Sequence, residues 1–401
     1  MKYYLFYFPI YIFLLLLSTG CNSPFKTDTT VAIFELFASH DIVRVMPSAT
    51  VLLFWDEITV ESFQEYKIER KTVNDTAWTE VKSLYNPLQI TYVDTIWNDD
   101  DLIYRVGIVD VDENTRWATT SISIPRTTSV IVPDVFETIQ PAFVSGLMDD
   151  GDTIIVKPGT YEETISIAGK DVLIKSTDGF KSTLLLRTAR PDSIDQLRVV
   201  NISSGILDGF SIKFGDPMHG SGGGISISKN ATVKNCYIAQ NVADSNENGG
   251  GGGVFLGDNG NLYNNIIAYN SSYMDFANGI YIVAAHGEII NNTIVGNDIV
   301  IRGDCTGLLL RNNIIFDSYP DISFAPQASQ AGVTIDYSLF DNNVSIGSDN
   351  INANPDFMDN VDFILSPNSP CIDAGHPDNQ YLDKDGTRND IGAYGGPLAR
   401  L

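Results

Sequence analysis

One short pattern recurs along the chain: LDGFSI at 207–212, VKNCYI at 233–238, LYNNII at 262–267, IINNTI at 289–294, LRNNII at 310–315 and IDYSLF at 335–340. With the last shared apolar position as marker, Ile212, Ile238, Ile267, Ile294, Ile315 and Leu339 are 26, 29, 27, 21 and 24 residues apart. A second marker precedes the middle repeats: the glycines 222–224 with Ile225, the glycines 251–253 with Val254, and Asn278-Gly279 with Ile280. Units of this length, built from short apolar runs punctuated by Gly and Asn, cannot bury a face alone and stack into a solenoid. The residues inserted between repeats, chiefly 215–224 and 242–253, follow no pattern.

Stacked coils set like residues in columns about 4.8 Å apart. An aliphatic column runs from Ile212 to Leu339, and Ile225, Val254 and Ile280 form another. Asn235, Asn264, Asn291 and Asn312 share one repeat position, with Gly209 before them and Asp336 after. Asn suits a turn there, because it tolerates left-handed backbone and can bond the Asn above and below. Asn241, Asn270 and Asn297 follow the marker Ile by three residues and make a second column. Both columns read as structural, with a sugar-binding polar ladder as the alternative. Cys236, beside the first column, reads as a buried free thiol.

Upstream, 136–140 opens a helix with Ile139, Ala142, Phe143 and Leu147 on one face, followed by DDGD, the strand TIIV and KPGTY. An amphipathic helix is the expected cap for a solenoid's open apolar end. The segment FETIQPAFVSGLMDDGDTIIVKPGTYEE resembles the opening of right-handed parallel β-helix proteins of the pectin-lyase-like superfamily. The stretches NPDF, FILSPNSPCIDAG and DIGAYGG, between 354 and 396, resemble the closing segment of secreted bacterial β-helix proteins. Such a segment is expected to cover the last coil's open edge. The expected single-stranded parallel β-helix is 134–343 and its closing segment 344–401.

From 31 to 125 the texture changes to short alternating strands separated by turn residues, which indicates an antiparallel sandwich. Trp55 in LLFWDE, the strand YKIER, Trp78 and the strand YRVGIVD resemble a fibronectin type III domain, with Leu102 where that family often has a corner tyrosine. Trp55 and Tyr104 are expected in its core, whereas Trp97 and Trp117 lie near loops and are candidates for stacking on a sugar. Residues 126–133 are the expected linker. The fold class is thus all-β throughout, with one capping helix.

The first residues carry Lys2, an apolar run and then Ser18-Thr19-Gly20-Cys21, the plan of a secretory signal. A Cys after Gly, followed by Asn22-Ser23-Pro24, resembles the lipobox of bacterial lipoproteins. The resemblance implies a signal peptide at 1–21, acylation of Cys21, a tether at 22–30, and an exported, membrane-anchored protein of the outer membrane or cell surface. Two or more acyl chains would hold it stably.

Against 25 Lys and Arg stand 50 Asp and Glu, a net charge of −25. That balance excludes nucleic acid as a partner, since phosphate binding depends on Lys and Arg displacing counterions. A polyanionic glycan would need a bridging divalent cation. With Cys21 otherwise used, Cys236, Cys305 and Cys371 are odd in number, so at least one thiol is free or pairs between chains.

A lyase needs a base beside the carboxylate of its substrate and a cation to neutralise that carboxylate. Candidate bases are Lys213, Lys229, Lys234, Arg302 and Arg311, with His219 and His286 as alternatives; the set singled out is His219, Lys213 and Arg302. Asp216 and His219, Asp244 and Glu247, and Asp275 occupy matching loops of successive coils, where stacking would gather them into a Ca²⁺- or sugar-binding face. Asp383, Asp385 and Asp390 are rich in oxygen ligands and suit Ca²⁺ or a hydrogen-bonded turn, although the Glu that completes an EF-hand loop is missing. No motif requires a cofactor; Ca²⁺ is the one candidate ion. The motifs of polygalacturonases and pectin esterases, phosphate loops, Ser-His-Asp sets and HExxH are absent. Three readings stay open: non-catalytic binding of polysaccharide or a surface protein through the irregular loops, β-elimination on a uronate glycan, and a structural envelope or adhesion role.

Overall fold

A computed structural model describes residues 36–41, 49–56, 62–96, 101–122, 128–187, 198–217, 220–243, 250–273, 277–326, 328–342 and 347–400. Cys21, the signal and the tether lie outside these residues, as does Trp97.

Residues 36–122 fold into two antiparallel sheets. One has three strands, Leu36–Asp41, Ala49–Trp55 and Thr91–Ile96; the other has four, in the order Thr79–Leu84, Phe63–Thr72, Leu102–Asp110, Thr115–Ile122. Val51, Leu53, Trp55, Tyr66, Ile68, Tyr104 and Val106 alternate inward to form the shared core. Burial leaves the Tyr104 hydroxyl in need of an acceptor, and Asp94 supplies it at 2.6 Å. Trp117 stays on the surface, its ring covered by the guanidinium of Arg105 at 4.0 Å.

From Ser129 on, the described residues build a parallel β-helix of three sheets. Sheet I contains Thr153–Val156, Leu173–Ser176, Ile206–Asp208, Thr232–Lys234, Asn261–Tyr263, Glu288–Ile290, Leu309–Arg311 and Thr334–Asp336. Sheet II runs from Gly159–Glu162 through Thr183–Leu186, Ser211–Lys213, Tyr237–Ala239, Ile266–Ala268, Thr293–Val295 and Ile314–Phe316 to Leu339–Phe340 and Ile351–Asn352. Sheet III runs from Ile165–Ile167 to Ile322–Phe324. One coil visits I, II and III in turn; a strand of three residues offers one inward side chain in sheets I and II and two in sheet III, and the inward residues stack into the aliphatic core.

Several expectations shift. Ser129–Val132, inside the expected linker, pairs in parallel with Thr153–Val156 and is the first rung of sheet I. The helix spans only Ile139–Val144, so Leu147 lies beyond it; Ile139, Ala142 and Phe143 are its buried residues. Its first amides are capped from a distance, because Glu163 accepts from the Ile139 and Gln140 amides at 2.7 and 2.8 Å. The last repeat keeps the phase of the six-residue pattern, and the expected marker was one residue off: Ile315 pairs with Phe340, not Leu339, and Arg311 with Asp336, so Tyr337 takes the turn position expected for Asp336. Since alternate residues face opposite ways, Phe340 enters the core and Leu339 points out.

The two Asn columns differ in what they bind. Asn235, Asn264, Asn291 and Asn312 do adopt left-handed backbone, with φ of 53–55°. The continuous ladder, however, is the next position. The Asn292 carboxamide oxygen accepts from the Asn265 amide at 2.9 Å, and that of Asn313 accepts from the Asn292 amide at 2.9 Å. Cys236 opens this ladder by donating its amide to Asn265; its buried thiol is free, with a pKa pushed up to about 12 by burial. Cys305 and Cys371 are also buried and free.

The outer column instead holds the closing segment. Asn264 donates to the Ala393 and Gly395 carbonyls, Asn291 to those of Asp390 and Gly392, and Asn312 accepts the His376 amide. The segment was expected to cover the end of the last coil, and its start does extend that edge, through Ser348 bridging Asp336 on sheet I and Ile351–Asn352 pairing on sheet II. Most of it runs back along the outside of sheet II, where Phe363 and Ala393 pack on Tyr237, Ile266 and Val295. It reaches the second coil, where Lys181 pairs with Asp362 at 2.6 Å and Arg400 donates to the Ser176 carbonyl at 2.6 Å. The outward apolar residues of sheet II explain the path: without this cover, they would face water.

Candidate functional site

With sheet II covered on its outside, the flank where the chain leaves sheet II for sheet III is the irregular part of the solenoid. The register of sheet II places Phe214, Gln240, Tyr269, Gly296 and Asp317 at one equivalent position, immediately after the strand. All of them are left-handed, at φ of 61, 58, 55, 61 and 55°. The turn demands that conformation, and Gly296 adopts it freely, whereas a bulky side chain there is strained by about 1–2 kcal/mol.

Behind this column stands the second Asn ladder, as expected. Asn241 and Asn270 donate their amides to the side-chain oxygens of Asn270 and Asn297, at 3.0 and 3.2 Å. The glycine runs pack on it: a Cβ at Gly224 would lie 2.7 Å from the Asn241 amide nitrogen, and one at Gly253 would lie 2.8 Å from that of Asn270. These glycines therefore permit close backbone approach and have no ligand role of their own. The loops themselves stack, with Val242–Ala243 pairing in parallel with Ser271–Ser272.

The expected site residues fare unevenly. His219, Asp244, Glu247 and Asp275 lie outside the described residues. Asp216 is on this flank, its carboxylate 3.6 Å from the guanidinium of Arg187, which also donates to the Asp216 carbonyl. Arg198 sits in the next stretch of chain, its Nε buried without a hydrogen-bond partner and its pKa pulled down by burial. Lys213 lies over the Tyr237 ring at 5.1 Å, and Arg302 donates to the Tyr281 hydroxyl at 3.0 Å. Lys213 and Arg302 belong to different sheets and to coils three rungs apart, about 14 Å along the axis, so the fold does not bring them together. His286 is exposed on another turn, its Nδ1 2.7 Å from the Thr306 carbonyl oxygen. Lys234 pairs with Asp208 at 3.6 Å and Arg311 with Asp336 at 2.6 Å.

The acids of the closing segment serve its turns. Asp383 accepts from the Gly396 and Asp390 amides, Asp385 from Thr387, and Asp390 from the Asp373 amide. Burial raises Asp383 to about 6. Among the described residues no group of three or more His, Cys, Asp or Glu is placed to hold a metal ion.

Sequence reasoning looked for acids on this flank and missed its aromatics. Among the described residues beyond 128, the exposed aromatic side chains are Phe214, Tyr269, Tyr273 and Tyr319, at 53, 51, 71 and 93 % exposure, and all lie on the turns or loops that follow sheet II. The signal was present as a fixed offset of two residues after the marker Ile.

No protein-family model matches the chain, and no curated protein does. Among solved structures it is similar to a pectate lyase from Pectobacterium carotovorum at 11% identity, over 77% of this chain and 79% of that one, with a TM-score of 0.19. A pectate lyase from Erwinia chrysanthemi is similar at 12% identity, over 77% and 79%, with a TM-score of 0.20. Its complex with tetragalacturonic acid gives 13%, 80% and 88%, and 0.20. Values this low carry no chemistry across. The parallel β-helix rests on the strand pairing of this chain itself.

Proposed function

We propose that this protein is an exported β-helix that binds polysaccharide without catalysis, through the flank between sheets II and III. The observation that carries the reading is the confinement of the exposed solenoid aromatics to that flank. An aromatic ring gives a sugar its apolar face at little cost in side-chain entropy. Loop polar groups around it then supply orientation, the usual division of labour in a binding site. Affinity electrophoresis through gels cast with neutral and acidic polysaccharides tests it. Retardation by at least one of them, abolished when Phe214 and Tyr269 are both replaced by Ala, is the expected result; free migration through every gel refutes it.

The N-terminal features complete the proposal. Acylation of Cys21 would fix the chain to the outer membrane or cell surface, and the sandwich, in its likeness to a fibronectin type III domain, would space the solenoid outward. Incorporation of labelled palmitate that is lost in Cys21→Ala tests the anchor. β-Elimination is the alternative: it would need Lys213 or Arg302 to act as base without the other. Absorbance from unsaturated products on uronate glycans with Ca²⁺ would establish it.

A further inference from the structure

We infer that the glycan held on this flank is an extended, equatorially linked pyranose chain lying parallel to the solenoid axis, with alternate sugars stacked on Phe214, Tyr269 and Tyr319. The inference rests on the polysaccharide reading and names the class of chain. Phe214 and Tyr269 stand two rungs apart in the register of sheet II, about 9.6 Å. Two rungs further the same position is Asp317, and Tyr319 follows it by two residues. The intervening positions are Gln240 and Gly296, neither of which carries a ring. Aromatic surface therefore returns on every second rung.

That period selects a chain geometry. Pyranoses joined through equatorial bonds form a flat ribbon that advances nearly one rung per sugar. The ribbon turns its ring face over at each linkage, so that a given face returns at every second sugar. Chains with one axial and one equatorial bond at each sugar coil instead, and their faces leave any straight line of platforms. The backbone argues that the rings are not there for the turn. Phe214 and Tyr269 hold left-handed φ where Gly296 meets the same requirement unstrained, and both rings remain about half exposed; Tyr269 also touches the closing segment, its hydroxyl donating to the Asn360 carbonyl at 3.2 Å and its ring lying 6.1 Å from that of Phe363. Gln240 and Asp317, exposed in the same column, are placed to meet hydroxyls along the ribbon's edge.

The test is calorimetric titration of the full chain with cellohexaose, xylohexaose and mannohexaose, against maltohexaose as a coiled chain of equal length. At least one extended hexaose is expected to bind about tenfold more tightly than maltohexaose. Tyr319→Ala and Phe214→Ala should each weaken it about fivefold or more, with Lys175→Ala, exposed on the outside of sheet I, nearly silent. Tyr319 is almost wholly exposed, so its variant keeps the fold intact. Equal affinity for extended and coiled chains, with loss in Phe214→Ala, overturns this inference and leaves the polysaccharide reading standing. Binding to none of the hexaoses, or preference for maltohexaose, also overturns it; in the first case, free migration through every polysaccharide gel would sink the broader reading too.

Discussion

Replacing Asn292 by Ala tests whether the inner ladder, and not the outer one, holds successive coils in register. The side-chain oxygen of Asn292 accepts from the Asn265 amide at 2.9 Å and from its carboxamide at 3.0 Å. Its nitrogen reaches the Leu262 carbonyl and the Asn313 side-chain oxygen, both at 3.0 Å. Asn313 keeps a donor in the Asn292 backbone amide, and Asn265 keeps the Val233 carbonyl. The buried Asn265 N–H and one lone pair of Leu262 are left without partners. At about 1–3 kcal/mol for each orphaned group, plus about 1 kcal/mol for the cavity, the variant should lose about 3–5 kcal/mol. Urea unfolding followed by circular dichroism, with an unchanged slope, measures it. A loss below about 1 kcal/mol would refute the assignment, because it would mean that the orphaned groups find water or other partners.

Three further outcomes follow from the same structure. Phe214→Gly should leave stability within about 1 kcal/mol of the parent, as relief of left-handed strain offsets the added chain entropy and lost contact, while glycan binding falls; a drop of several kcal/mol on thermal unfolding would show the ring to be structural. Gly253→Ala should cost about 2 kcal/mol or more by pressing a methyl on Asn270, and an unchanged Tm would contradict that packing. In the last coil, the Asn342 side-chain nitrogen faces three acceptors, the Ser318 carbonyl at 2.7 Å and the Asp321 and Asp341 carboxylates, both at 2.8 Å. Burial, with Asp341 alongside, raises Asp321 to about 7. A folded-state value above the unfolded one, near 3.9, means that the folded chain holds the proton longer, so this group's contribution is full below pH 4 and is lost as pH rises towards 7. Asp321→Asn should therefore raise Tm at pH 8 and change it little at pH 4; equal shifts at both values would count against the raised Asp321 pKa.

The repeat was legible because its period is written in apolar residues, and the stacking that those residues require leaves one architecture. What escaped follows from the same economy of pattern. Asn264-Asn265, Asn291-Asn292 and Asn312-Asn313 are pairs, and spacing alone cannot tell which member faces inward. At 335–340 no Asn marks the turn, so the expected register was one residue off there. The path of the closing segment depends on surfaces hundreds of residues away in sequence, such as Lys181 meeting Asp362, which no local pattern encodes. Of the candidate site, the flank was legible and its chemistry was not. Acids attract attention in an acidic chain, while Phe214 and Tyr269 emerge only when the backbone shows that their shared position would accept glycine.

The path of the closing segment also changes how the solenoid can come apart and come together. An ordinary stack of repeats frays from its ends, since each unit touches only its neighbours. Here residues 357–400 bind coils from the second to the last, so the last coil cannot peel away without releasing a strap that also grips the second. Disassembly becomes a single cooperative event, and partial unfolding, the usual opening for proteases outside the cell, is suppressed. Assembly carries the matching constraint: the strap follows the coils in sequence, so coils made early wait, with the outside of sheet II bare, until residues 357–400 arrive. The length of the array is fixed for the same reason. Adding or deleting a coil would displace Arg400 by a whole rung from the Ser176 carbonyl, and Asp362 from Lys181, unless the strap grew or shrank with it.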